Sequence, residues 1–239
     1  MIKSTLERIN PGDDYETEAG DSIQLHIERY RFAGKHLQPG VIADIACGLG
    51  YGSFLLANEF SNKIARIFAV DNNESAIEFA RRKYFHPDIS FINADAITFE
   101  PEIKLDSVVS LETIEHLEEP GIFIENISRH LVSGGRFIAS VPVTPSMDAN
   151  PYHLHDFMPN RFRKMFFANG MKEIASMIQV QHYKPLSLLL NKDKGRMQDK
   201  RKNIPLFYLK HPVKFFLRLR SFFRDGFTNK YLVVVFEKG

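Results

Sequence analysis

The chain has 239 residues, of which 44% are hydrophobic, 25% charged and 12% aromatic, enough for one sizeable core and unlike a disordered or collagen-like sequence. No apolar run reaches the roughly 20 residues of a membrane-spanning helix, the N-terminus lacks the stretch of a signal peptide, and Cys47 is the single cysteine; a cytoplasmic protein without disulfides or a structural zinc site is expected. The net charge of +2 divides unevenly, with 17 Lys and Arg against 25 Asp and Glu in residues 1–180, and 14 against 4 in residues 181–239. A basic tail of this kind is either a solvated face or a surface for an anionic partner.

The pattern predicts a helix over 21–37, with Ile23, His26, Ile27 and Tyr30 on one face and Pro39-Gly40 ending it. Apolar, β-branched runs at 41–46, 64–70, 89–94, 105–110 and 135–141 then alternate with helical periodicity over 51–60, 74–84 and 121–131. This is the α/β pattern of a parallel sheet covered by helices on both faces. A loop rich in Pro, Asn and His follows, then a helix over 160–168 and two further strands, 173–180 and 231–237.

Between those strands lies most of the positive charge. In Pro212 to Arg224, Phe215, Phe216, Leu219, Phe222 and Phe223 crowd one side of a helix, while Lys214, Arg218 and Arg220 fall largely elsewhere. The segment 205–227 reads either as a dock for an anionic membrane surface or as a helix whose phenylalanines pack on their own sheet. No nucleic-acid motif surrounds it, so nucleic acid is not an expected partner.

The most informative stretch is Asp44-Ile45-Ala46-Cys47-Gly48-Leu49-Gly50-Tyr51-Gly52, a strand that ends in a glycine-rich turn opening a helix. Its Gly-x-Gly-x-Gly spacing lacks the glycine that closes a dinucleotide fingerprint. Asp44 would repel a diphosphate and attract an ammonium or sulfonium. Asp71 ends the second strand, where a carboxylate can accept from both hydroxyls of a ribose, and Asp95 ends the third. Each acid alone also reads as a helix N-cap.

With VIADIACGLGYGS, IFAVDNNESAIEFAR, FINADAITF, LDSVVSLETIEHLEEP and LVSGGRFIASVP in this order, the chain resembles the class I S-adenosylmethionine-dependent methyltransferases, of the small-molecule and sugar O-methyltransferase type. The resemblance implies a Rossmann-like three-layer αβα fold with a seven-stranded, mostly parallel sheet and an antiparallel last strand. It implies S-adenosyl-L-methionine as cofactor, with Asp44, Ala46, Cys47, Gly48 and Gly50 at the methionine part, Asp71 and Asn72 at the ribose, Asp95 and Ala96 at the adenine, and Leu111 and Glu112 as the floor near the sulfonium. Ala46 departs from the usual motif, which has glycine there. Similar enzymes carry a His/Arg/Tyr segment over the cofactor; here that implies Arg29 and Tyr30, with Arg29 able to clamp a carboxylate or to pair with a surface acid instead. The implied division is a cofactor-covering helix (1–40), a core (41–182), a basic amphipathic insertion serving as lid or membrane dock (183–229) and a closing strand (230–239).

A hydroxyl acceptor must lose a proton, and His116, one turn beyond Glu112, has a pKa suited to taking it; its alternative is a structural histidine before Pro120. His153 and His155, with Asp156, are the other candidates to orient a base, bind sugar hydroxyls or ligate an ion; their spacing fits no standard metal site, and no metal is expected. Asn150-Pro151-Tyr152 lacks the second proline of the Asn-Pro-Pro-Tyr motif and follows the fifth strand, not the fourth, which excludes an amino-methyltransferase of nucleic acids. Loops resembling Asn-Pro-Tyr-His-x-x-Asp/Glu-Phe occur in methyltransferases of bacterial cell-surface glycans, implying a sugar hydroxyl in a glycan or glycolipid as acceptor. A quinone-like small metabolite is the alternative acceptor, and a non-catalytic, cofactor-binding membrane adaptor the alternative of another class.

Overall fold

The computed structural model describes residues 18–145, 150, 152–182, 204–226 and 228–239. In chain order the elements are α1 (Glu18–His36), β1 (Gly40–Ile45), α2 (Tyr51–Glu59), β2 (Ile64–Asp71), α3 (Glu74–Lys83), β3 (Ile89–Asn93), β4 (Leu105–Leu111), α4 (Pro120–His130), β5 (Leu131–Pro142), α5 (Pro159–Phe167), β6 (Met171–His182), α6 (Ile204–Lys210), α7 (Pro212–Asp225) and β7 (Thr228–Lys238).

One seven-stranded sheet runs in the order β3-β2-β1-β4-β5-β7-β6. Strands β1 to β5 pair in parallel, and β7 inserts antiparallel between β5 and β6. The strand order reverses between β1 and β4, which opens a crevice at their carboxyl ends, the usual ligand position in such sheets. This is the expected Rossmann-like methyltransferase architecture.

Strand alternation builds a core on each face. On one side Ala43, Ile45, Phe68, Val70 and Phe137 meet α4 and α5. Phe166 of α5 stacks flat on Phe236 of β7, with ring centroids 4.0 Å apart. On the other side Ile42, Ile67, Ala69 and Val109 meet Tyr30 and Ala33 of α1, Leu37 just after it, Leu56 of α2 and Ile77 of α3.

Two elements differ from the pattern reading. Strand β5 begins at Leu131, not at 135, because Leu131 already pairs with Leu105 and Gly134 takes φ 73° within the strand. Ahead of α7, Ile204–Lys210 forms a further short helix, separated from it by His211, which Pro212 at the first position of α7 keeps out of the helical conformation. The remainder of the basic segment, residues 183–203, lies outside the described residues, as do residues 1–17 of the N-terminal segment.

Candidate active site

The glycine-rich turn between β1 and α2 is held by two backbone bonds, Cys47 N to Val70 O (2.9 Å) and Gly50 N to Cys47 O (3.0 Å). Three of its residues are left-handed: Ala46 at φ 63°, Gly48 at 57° and Gly50 at 83°. Gly50 has no room for a side chain, since a Cβ there would stand 2.7 Å from the Ala80 Cβ and from the Phe91 ring. Gly48 is the reverse case, with no atom within 4 Å of such a Cβ. Only at Gly48, therefore, does the missing side chain leave open space for a ligand to approach the backbone.

Asp71 is buried at the end of β2, and it organises this turn: Oδ2 accepts from Gly48 N and Oδ1 from Asn73 N, both at 2.9 Å. Asn72 is exposed beside it, and Asn73 caps α3 by accepting from Ala76 N at 2.8 Å. Asp95 is exposed at the end of β3; its Oδ1 accepts from Ile97 N (2.8 Å) and Thr98 N (3.3 Å), the turn-capping geometry, with Ala96 half-buried next to it. Cys47 is buried, and that burial pushes its thiol well above the usual range, so it is a packed thiol and no nucleophile.

Asp44 is wholly buried and engaged inside the protein. It accepts from the Ser53 hydroxyl at 2.6 Å and from the Tyr30 hydroxyl at 3.2 Å to each oxygen. Burial, with the charge of Asp71, pushes its carboxyl up to about 7 against the pull of those two hydrogen bonds. Helix α1 is thereby fastened over the turn, and His26 adds a hydrogen bond to the Tyr51 hydroxyl. Arg29, on the same helix, is buried with Nη1 donating to Gln179 Oε1 at 3.0 Å and its guanidinium over the Tyr231 ring. Among the described residues it pairs with no surface acid, and its Nε is buried without a hydrogen-bond partner.

At the end of β4, Leu111 is buried and Glu112 takes a left-handed φ of 54°. Ser140 of β5 supports that residue twice, accepting from Glu112 N at 3.0 Å and donating to Glu112 Oε1 at 2.7 Å. In the turn that follows, Glu115 is wholly buried and neither carboxylate oxygen has a hydrogen-bond partner. Burial and the charge of Glu112 drive its carboxyl well above the usual range. His116 Nε2 stands 3.9 Å from Glu115 Oε1, and the His153 ring meets the His116 ring edge-on at 4.8 Å between centroids.

The histidine loop is stitched to this turn. Leu154 N and His155 N both donate to the Glu115 backbone carbonyl, at 2.8 and 3.3 Å, and His116 Nδ1 bonds the Tyr152 carbonyl at 3.0 Å. The fold therefore brings His116 and His153 together and adds Glu115, to which the sequence reading gave no role. His155 is not part of that group: its Nε2 bonds the Leu117 carbonyl at 2.9 Å and its ring lies by Phe157, so it fastens the loop. Gln179 was also missed; it holds Arg29, the Leu25 carbonyl and Glu28.

Residues 43–139 match the family described as methyltransferase domain. The central part of this chain is thus similar to the methyltransferase domain family. A relative from Mycobacterium tuberculosis described as a probable S-adenosylmethionine-dependent methyltransferase is 27% identical over 186 residues, 73% of this chain and 63% of the relative. A second, from Mycolicibacterium smegmatis and described in the same words, is 27% identical over 147 residues, so the chain spans between 55% and 63% of the length of these relatives. The methyltransferase fold extends beyond the matched residues: magnesium protoporphyrin IX methyltransferase of Synechocystis, solved with bound cofactor, superposes with a TM-score of 0.61 at 14% identity, covering 98% of this chain and 89% of that one.

Proposed function

We propose that this protein is an O-methyltransferase acting on a sugar hydroxyl of a bacterial cell-surface glycan or its lipid-linked precursor. The observation that carries the reading is the meeting of His116, His153 and the Glu115 carboxyl at the carboxyl edge of β4. The bound cofactor supplies a methyl group on a sulfonium, which an attacking oxygen takes while the carbon–sulfur pair returns to sulfur. The protein's own work is positioning and proton removal. Gly48 and Arg29 hold the methionine part, with Asp44 beneath it; Ala46, Cys47 and Gly50 shape the turn, Asp71 and Asn72 address the ribose, Asp95 and Ala96 the adenine, and Leu111 with Glu112 form the floor. The acceptor's proton is taken at His116, with His153 and Glu115 beside it.

Helices α6 and α7 supply the second element of the reading. Phe215, Phe216, Phe222 and Phe223 are each at least 41% exposed, so their faces are not used up in packing on the sheet. Apolar side chains interleaved with Lys214, Arg218, Arg220 and Arg224 suit docking at an anionic membrane on its cytoplasmic side, where a lipid-linked acceptor resides. The same exposed phenylalanines favour a second reading, methylation of an apolar, quinone-like metabolite.

The test is incubation with methyl-labelled cofactor and fractionated cell extract. Label in the glycan or glycolipid fraction is the expected result. Label in the small-molecule fraction selects the second reading, and a cofactor that binds without any label transfer leaves a non-catalytic adaptor.

A further inference from the structure

We propose that Glu115, His116 and His153 are the ligands of one divalent transition-metal ion, Zn²⁺ by donor chemistry, whose open position receives the acceptor hydroxyl. Two imidazoles and one carboxylate are the three-ligand set of catalytic zinc, in which the fourth position is left to water or substrate. One ligand atom from each residue lies within 4.8 Å of the other two. A tetrahedral ion with bonds of about 2.1 Å wants separations of about 3.4 Å. The site therefore closes by up to about 1.4 Å on binding, a movement within reach of His153, which sits on a loop and is half-buried.

An independent observation is the state of Glu115. A wholly buried carboxyl with neither oxygen hydrogen-bonded is costly, and native proteins tolerate it where an ion or water completes it. The cation whose field reaches it, Arg29, spends its hydrogen bond on Gln179. Glu112 adds negative charge from the same turn, which favours a cation there.

The surroundings orient the ligands as metal sites require. The Tyr152 carbonyl takes the Nδ1 proton of His116, which fixes the neutral tautomer with its lone pair on Nε2, the nitrogen nearer Glu115. The amides of Leu154 and His155 hold the His153 loop onto the Glu115 backbone. An ion so placed lowers the acceptor hydroxyl's pKa; with the ion bound, His116 acts as its ligand in place of the base role given to it above, and the hydroxyl proton is released to water before the oxygen attacks the methyl carbon. That last role rests on the O-methyl transfer proposed above, whereas the site itself does not.

Chelator-treated protein is titrated with Zn²⁺ and with Mn²⁺ by calorimetry, and separately with S-adenosylhomocysteine. One equivalent of Zn²⁺ or Mn²⁺ is expected, weakened at least about tenfold in Glu115→Gln and in His153→Ala and unchanged in His86→Ala, which removes a histidine beside Asp88. His153→Ala lies in a loop, so it decides the matter if the buried variant fails to fold. Absence of saturable binding, or binding that neither substitution weakens, overturns the site. Cofactor binding without ion binding overturns the metal site alone. Ion binding lost in both variants, with no cofactor binding, upholds the site and overturns the methyltransferase reading.

Discussion

The Tyr30 hydroxyl reaches both oxygens of Asp44 at 3.2 Å, and this contact joins the helix before the sheet to the strand that enters the glycine-rich turn. The ring gets there only because residue 52 is glycine: a Cβ at Gly52 would stand 2.0 Å from the Tyr30 Cζ. Arg29 rides on the same helix, so the fastening positions its guanidinium as well. Tyr30→Phe removes a donor from a buried carboxyl and should cost about 1–3 kcal/mol in urea denaturation. Gly52→Ala should displace the whole ring and weaken S-adenosylhomocysteine binding as well as stability; unchanged affinity in calorimetry would separate the helix from the cofactor.

A pH dependence follows from the same carboxyl. Asp44 is raised from an ordinary 3.8 to about 7 in the folded protein, so the native state holds a proton that the unfolded chain releases. Its contribution to stability is fully present below pH 3.8 and is lost as pH rises toward about 7, by a total on the order of 4 kcal/mol. Asp44→Asn, which mimics the neutral form, should flatten that part of the slope. The check is the difference in unfolding free energy between wild type and variant at pH 5 and pH 8; parallel curves would refute the shift.

The glycine-rich turn separates two demands that its spacing alone merges. Gly50→Ala forces a Cβ into Ala80 and Phe91 at a left-handed φ and should destabilise by roughly 2–4 kcal/mol. Gly48→Ala meets no protein atom, so it should fold with a smaller loss of about 1 kcal/mol, from φ alone, and yet bind the cofactor poorly. Ala46→Gly should relieve strain at φ 63° and leave stability equal or higher. Thermal melts with and without S-adenosylhomocysteine distinguish the three.

Much of this was legible in the sequence because it depends on local periodicity. The strand and helix positions followed from alternating and 3.6-residue patterns, and Asp44, Asp71 and Glu112 lie at strand ends as read. Burial and orientation were not legible. Nothing local distinguishes Glu115 from the exposed Glu118 two residues after His116; only the docking of loop 152–157 on the turn seals it in. Glu112, Glu115 and His116 at one-turn spacing were the available signal, whereas the pairing of Gln179 with Arg29 spans 150 positions and had none. His155 shows the converse: its type and spacing matched His153, and only the Leu117 carbonyl reveals its structural use.

His116→Ala should leave cofactor affinity intact, since His116 Nδ1 is bonded to the Tyr152 carbonyl of the histidine loop, while turnover falls by roughly 10² to 10⁴. A matched loss in cofactor binding would move His116 from the acceptor side to the cofactor side. Full activity would remove it from the chemistry.

The exposed helices permit a sharper test than activity. Phe223 is 79% exposed and Phe216 65%, whereas Phe162 and Phe166 of α5 are wholly buried, so phenylalanine in this chain is exposed by location and not by abundance. If α7 lies on an anionic bilayer, replacing Phe215, Phe216, Phe222 and Phe223 by Ser should abolish sedimentation with phosphatidylglycerol vesicles and leave the unfolding transition nearly unchanged, because these rings contribute little to the core. High salt should weaken wild-type binding, since Lys214, Arg218, Arg220 and Arg224 act through screened charge. Wild type that never sediments with such vesicles would refute the dock, and a large fall in stability in the quadruple variant would show instead that the rings pack within the protein.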